Sequence, residues 1–182
     1  ALPISNAFYR DPVFGHWKND GTVMLPGVHE RKWELDSLAY FLRLSHGYWT
    51  ATGDTSPFDA KWQRAVASVF ALLRVEQASG DSSGPVRSPY SFVRPRVAFE
   101  SLPLGGYGLP SRTCGLIRCG FRPSDDLVAF PFLVPANAMM AIALNHLADL
   151  LAVLHSDTLA AEAHTIATEI TRALEKHGVV HH

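Results

Sequence analysis

From Trp33 to about Thr52, aliphatic and aromatic residues recur at helical spacing, with Leu38, Phe41, Leu42, Ser45 and Trp49 on one stripe, and the pattern stops at Gly53, a residue suited to closing a helix. Ser56 and Pro57 then offer an N-cap followed by proline at the first helical position, and Trp62, Val66, Val69 and Leu73 carry a second helix toward Gly80. These two helices are expected to form a hairpin over about 33–80. A second hairpin is expected over about 137–177. Its first helix runs from about Asn137 to His155 on Met140, Leu144, Leu147 and Leu151, and its second from about Thr158 to His177 on Ile166, Ile170 and Leu174, ending at Gly178. No alternating strand pattern runs beyond a few residues, and the only repeat is the hairpin spacing itself. The predicted class is all-α.

Between the hairpins, Asp81 to Val134 is rich in Pro, Gly, Ser and Arg. It far exceeds the roughly 12–15 residues at which a structureless loop is already unusual in a compact domain, and such loops commonly carry function. Arg87, Tyr90, Arg94, Arg96, Arg112, Arg118 and Arg122 are interleaved there with Phe92, Phe99, Tyr107 and Phe121. Arginine among aromatics suits nucleic-acid stacking, but the chain's near-neutral charge makes a sugar or small-anion site the more economical reading. The cluster Gly105-Gly106-Tyr107-Gly108 neither follows a strand nor has phosphate-loop spacing.

The 182 residues are 47% hydrophobic and 18% charged, enough to bury one sizeable core, and the formal net charge of -1 argues against a nucleic-acid or anionic-membrane partner. The longest apolar run, Ala138 to Leu144, stops at Asn145 and His146, short of the roughly 20 residues a bilayer span needs. The start, Ala1-Leu2-Pro3-Ile4, has neither an initiator Met nor a signal pattern and reads as a processed or excised end. Cys114 and Cys119 stand five apart with no further Cys to complete a zinc quartet, and the histidines are scattered, so two free thiols and no metal site are expected.

Two charged constellations remain. Gly120-Phe121-Arg122-Pro123-Ser124-Asp125-Asp126 places an arginine and two adjacent carboxylates just ahead of a helical segment. Neighbouring acids repel, so keeping both suits the handling of a proton, a cation or a polyhydroxyl ligand, although a helix-capping run has the same composition. In Glu30-Arg31-Lys32-Trp33-Glu34-Leu35-Asp36-Ser37, a helix would set Trp33 and Asp36 on one face, an aromatic plate beside a carboxylate that fits a pyranose. A solvated first turn with Trp33 as core accounts for the same residues.

Lys32 to Leu38, Glu76-Gln77, Ser88-Pro89-Tyr90, Gly120 to Asp126 and Val134-Pro135-Ala136-Asn137-Ala138-Met139-Met140 follow one another in an order that resembles the family-125 glycoside hydrolases, exo-acting α-1,6-mannosidases, over nearly the whole chain from about Ser5. The resemblance implies an (α/α)6 barrel, of which this chain is a central portion forming a single incomplete catalytic domain. It further implies no metal or other cofactor, a terminal α-mannoside or N-glycan-derived oligosaccharide as substrate, and inversion at the anomeric carbon. An inverting enzyme needs a protonated carboxyl for the leaving oxygen and a carboxylate roughly 6.5–9.5 Å away to activate water. The general acid matches the Asp125-Asp126 pair, with Arg122 expected to hold one carboxylate ionised so that its repulsion favours a proton on the other. Trp33, Glu34, Asp36, Tyr90 and Arg94 become sugar-binding candidates.

The family's upstream Trp-Leu-Arg-Asp-Ser segment would precede Ala1, and its general base, a glutamate, lies well downstream of the segment matching Lys176 to Val180. Ser91 stands where an arginine is expected and Cys119 where serine is usual. The expectation is therefore a fragment that carries the acid and depends on the remainder of the barrel for activity. The alternative is a truncated, non-catalytic helical protein that binds sugar or a partner.

Overall fold

A computed structural model describes residues 7–77 and 88–179. Ser5, Gly80, Arg87 and Val180, each invoked above, lie outside the described residues. In chain order the elements are β1 (Ala7–Phe8), β2 (Val28–Glu30), α1 (Leu35–Thr52), α2 (Ala60–Gln77), a 3-10 turn (Ala98–Glu100), α3 (Pro103–Gly106), α4 (Val134–Val153) and α5 (Asp157–His177). The class is all-α, as expected. The long helices are those predicted, and their ends shift for identifiable reasons.

Helix α1 begins at Leu35 rather than Trp33. Gly53 closes it in the left-handed region at φ 69°, its N–H donating to Trp49 O at 2.7 Å. Helix α2 begins at Ala60, and its cap is Asp59 rather than Ser56: the carboxylate accepts the N–H groups of Lys61 (2.8 Å) and Trp62 (2.9 Å). Ser56 instead bonds back to Asp54.

The chain divides into two compact units, each discontinuous in sequence. The helical unit comprises Leu35–Ala78, Cys114–Ile117 and Val134–His182. Its centre is α4, which packs on both α1 and α5, while α2 packs on α5. At 20 residues α4 is as long and apolar as a membrane span, and Met140, Leu144, Leu147 and Leu151 on it are completely buried. Small residues on α4, Ala136, Ala141, Ala143 and Ala148, allow close helix approach. The expected α1/α2 hairpin is spaced by large side chains instead: the Trp62 indole donates to Ser45 Oγ at 3.0 Å and lies 6.4 Å from the Phe41 ring. Helix α1 therefore takes α4 as its close neighbour. Asn137, fully buried, brackets Ile117 by accepting its N–H (2.8 Å) and donating to its carbonyl (3.0 Å), and Gln77 donates to Gly115 O at 2.8 Å. Those bonds satisfy backbone groups that burial would otherwise leave costly. Arg74 pairs with Glu169, tying α2 to α5.

The second unit holds Ala1–Glu34, Ser79–Thr113 and Arg118–Leu133. It is mostly irregular. The β1 and β2 strands pair antiparallel, and Phe92, Leu102 and Phe121 form an apolar centre in which Phe92 and Phe121 meet edge to face at 5.1 Å. Much of the long segment predicted as a loop is this unit.

Candidate active site

The Arg122 to Asp126 segment caps no helix, because α4 starts only at Val134. It is the tip of a small hairpin closed by a bridge between Phe121 and Leu127. Asp125 N–H donates to Arg122 O (2.9 Å), and Arg122 N–H donates to Asp126 O (2.8 Å). Pro123 and Ser124 form the turn, and Asp125 takes the left-handed position that ends a three-residue hairpin loop, with φ 70°. A left-handed conformation costs most L-residues about 1–2 kcal/mol, although aspartate tolerates it better than bulky side chains do. Gly120 at the base lets this strand close on its neighbours, since a Cβ there would meet Tyr90 at 3.2 Å and Leu102 at 3.3 Å.

The two carboxylates have different surroundings. Asp126, 64% exposed, is held within the loop by Ser124 Oγ (2.9 Å) and by Arg122 (3.3 Å). Asp125, 55% exposed, reaches the other way to the ammonium of Lys32 at 2.7 Å, a group only 1% exposed. Each acid thus has its own cation, so the expected division of labour, with Arg122 alone fixing one member of the pair, gives way to a two-cation arrangement. Lys32 also contacts Glu100 at 3.2 Å and lies 5.2 Å over the Phe121 ring.

Behind Lys32 lies a buried ionic cluster. Arg94 donates to both oxygens of Asp20 (3.1 and 2.8 Å), to Glu30 (2.6 Å) and to Glu100 (2.6 Å), and its guanidinium stacks on Trp17 at 3.5 Å. Burial alone pulls the Arg94 guanidinium down, but its bonds to Asp20, Glu30 and Glu100 outweigh that and raise its pKa. Glu100 is pushed up by burial, which its bonds to Lys32 and Arg94 overcome, so it is held below the ordinary glutamate value.

The other sequence-predicted site residues are mostly structural in placement. Arg94, expected to touch sugar, directs its donors at carboxylates inside the protein and is 2% exposed. The Tyr90 hydroxyl, buried, donates to Arg31 O (2.7 Å) and accepts Trp33 N–H (3.1 Å), fixing the segment that carries Lys32. Trp33, expected as a stacking plate, is 2% exposed; its indole donates to Arg118 O (2.9 Å), and its own carbonyl accepts Gly120 N–H (3.2 Å) and Phe121 N–H (3.1 Å). Because α1 starts after it, Trp33 does not share a helical face with Asp36. Glu34 is buried. Asp36, in the first turn of α1, is also buried, and its Oδ1 has no hydrogen-bond partner among the described residues. Burial pushes its carboxyl upward against the pull of its own and Ser37 backbone N–H groups. Among the described residues, no group of three or more His, Cys, Asp or Glu is arranged to hold a metal ion.

Lys32, Glu100, Asp20 and Glu30 were not singled out from sequence. A lysine in a polar run reads as solvated, and its partners Glu100 and Asp125 lie 68 and 93 positions away. The available signal was the run of three charged residues, Glu30-Arg31-Lys32, ahead of a core tryptophan.

The chain matches the family of metal-independent alpha-mannosidases, GH125, over residues 2–182, and it belongs to that family. It is 40% identical over 161 residues to the meiotically up-regulated gene 157 protein of Schizosaccharomyces pombe, covering 85% of this chain and 31% of that protein. It is also similar, at 32% identity and a TM-score of 0.86, to a Streptococcus pneumoniae metal-independent alpha mannosidase solved in a non-productive complex with alpha-1,6-mannobiose. That match covers 96% of this chain and 41% of the other. The chain therefore spans about a third of the first relative and two fifths of the second. The likeness carries the all-α, helical-barrel architecture anticipated from the sequence.

Proposed function

We propose that this chain contributes the proton-donating part of an inverting, exo-acting α-1,6-mannosidase, and that Asp125 is its general acid. The supporting observation is the contrast within the pair. Asp126 is tied up locally by Ser124 and Arg122, whereas Asp125 stands at the hairpin tip, half exposed, and is anchored by a buried cation. In the reaction, the bond from the anomeric carbon to the leaving oxygen breaks, and that oxygen takes the proton of Asp125. Water adds to the opposite face of the sugar and gives its proton to a second carboxylate. Arg122 pairs with Asp126. Asp36 and Glu34 remain sugar-binding candidates, and Asp36 Oδ1 has the unmet bonding capacity a sugar hydroxyl would fill. Trp33, Tyr90 and Arg94 shape the site by holding backbone and charge.

The test uses the protein at its full natural length. It is expected to hydrolyse α-1,6-linked mannobiose with a chelator present, and proton NMR should show β-mannose as the first-formed anomer. Loss of activity on chelation, or α-mannose appearing first, would overturn the mechanism; binding without hydrolysis would favour the non-catalytic reading.

A further inference from the structure

We propose that Lys32 is the positioning residue of the proton donor: its buried ammonium binds Asp125 through Oδ2 and through the backbone carbonyl, leaving Oδ1 as the oxygen that carries the transferable proton. The proposal rests on the assignment of Asp125 as the acid.

An ammonium has three N–H donors. Those of Lys32 are matched by Asp125 Oδ2 (2.7 Å), Asp125 O (3.1 Å) and Glu100 Oε2 (3.2 Å), while Glu30 stands farther off at 3.9 Å. Gripping both the carboxyl group and the main chain of one residue fixes its side-chain torsions together with its left-handed backbone. A half-exposed aspartate on a hairpin tip would otherwise sample several rotamers, and proton transfer requires the donor within hydrogen-bond reach of the leaving oxygen. Lys32 has no comparable freedom, being 1% exposed with Phe121 beneath it and Glu100 held in turn by Arg94.

The contact also suits both states of the acid. When Asp125 carries the proton, the ammonium donates to the carbonyl oxygen of the acid, and the hydroxyl is on Oδ1. After the anomeric C–O bond has broken and the leaving oxygen has taken the Oδ1 proton, Asp125 is a carboxylate against a cation until solvent reprotonates it.

The experiment compares two substrates of the full-length protein. From mannobiose the second mannose departs as an alcohol and needs the proton, whereas from α-mannosyl fluoride the fluoride ion departs with little acid assistance. Lys32→Met is expected to lower kcat on mannobiose about 100-fold, within the range acid catalysis supplies, while kcat on the fluoride falls less than about fivefold. Turnover of the fluoride also reports a folded protein. Equal losses on both substrates would mean a structural role and refute the proposal. Asp125→Ala, run alongside, separates the two claims: no selective loss in that variant would sink the acid assignment itself, whereas selective loss there but not in Lys32→Met would sink only the role of Lys32. If Lys32→Met does not fold, Lys32→Arg keeps the charge but not the compact three-way contact. A selective loss on mannobiose in that variant supports the proposal, and wild-type behaviour on both substrates refutes it.

Discussion

Replacing Arg94 by methionine tests the buried cluster that underlies the site. Methionine keeps the apolar stem against Trp17 and Phe92 but removes the only cation in contact with Asp20 among the described residues. The Asp20 side chain is 3% exposed and that of Glu30 12%, so neither carboxylate regains water, and Lys32 stands 3.9 Å from Glu30 with its donors used elsewhere. Deleting one partner of a buried ion pair costs about 3–5 kcal/mol, chiefly because the orphaned charge stays buried. Loss of the cation stacked on Trp17 adds up to about 2 kcal/mol. Glu100 is partly exposed and contributes less. The expected loss is therefore about 3–7 kcal/mol, read as a shifted urea midpoint at unchanged slope in the full-length protein. Arg122→Met is the internal comparison. Its pair with Asp126 is exposed and 3.3 Å long, so its loss should cost about 0–1 kcal/mol. Adding Asp20→Asn to Arg94→Met should recover part of the loss by removing an orphaned charge. A cost for Arg94→Met no greater than that for Arg122→Met, or no recovery in the double variant, would refute the reasoning.

Other outcomes follow from the same geometry. Burial raises the Asp36 carboxyl above its ordinary value of 3.8, so the folded protein binds that proton more tightly than the unfolded chain does; the stabilisation is complete below 3.8 and is lost as pH rises through the raised folded value. Asp36→Asn, which cannot ionise, should flatten that decline when stability is followed by urea unfolding across pH 3.5 to about 7; an unchanged slope would contradict the burial argument. Asn137→Ala strands the N–H and carbonyl of Ile117 in a fully buried position and should cost about 2–6 kcal/mol, at roughly 1–3 kcal/mol per unmet group, measured by the same method.

The helices were legible because their stripes are long and their stops are glycines: α1 ends at Gly53 and α5 at Gly178, as read from sequence. Caps were less legible. Ser56-Pro57 and Asp59 both offer starts to α2, and only the bonds from Asp59 decide between them. The hairpin was hidden in plain composition, since Arg-Pro-Ser-Asp reads as a cap until Phe121 and Leu127 are known to face each other. Ordered motifs located the acidic pair but not its surroundings. Lys32 meets Glu100 across 68 positions and Arg94 meets Asp20 across 74, and periodicity carries no information about such pairings. For the same reason Trp33 and Arg94 read as sugar contacts in sequence, whereas three-dimensional contacts bury one and surround the other with carboxylates.

The most direct measurement of the central claim is the rate of α-1,6-mannobiose hydrolysis by the full-length protein and by its Asp125→Asn and Asp126→Asn variants, each checked for folding by circular dichroism. If Asp125 donates the proton, Asp125→Asn loses about 100- to 10,000-fold in kcat while Asp126→Asn, whose partners are exposed, keeps most of it. Activity retained in Asp125→Asn and abolished in Asp126→Asn would contradict the assignment.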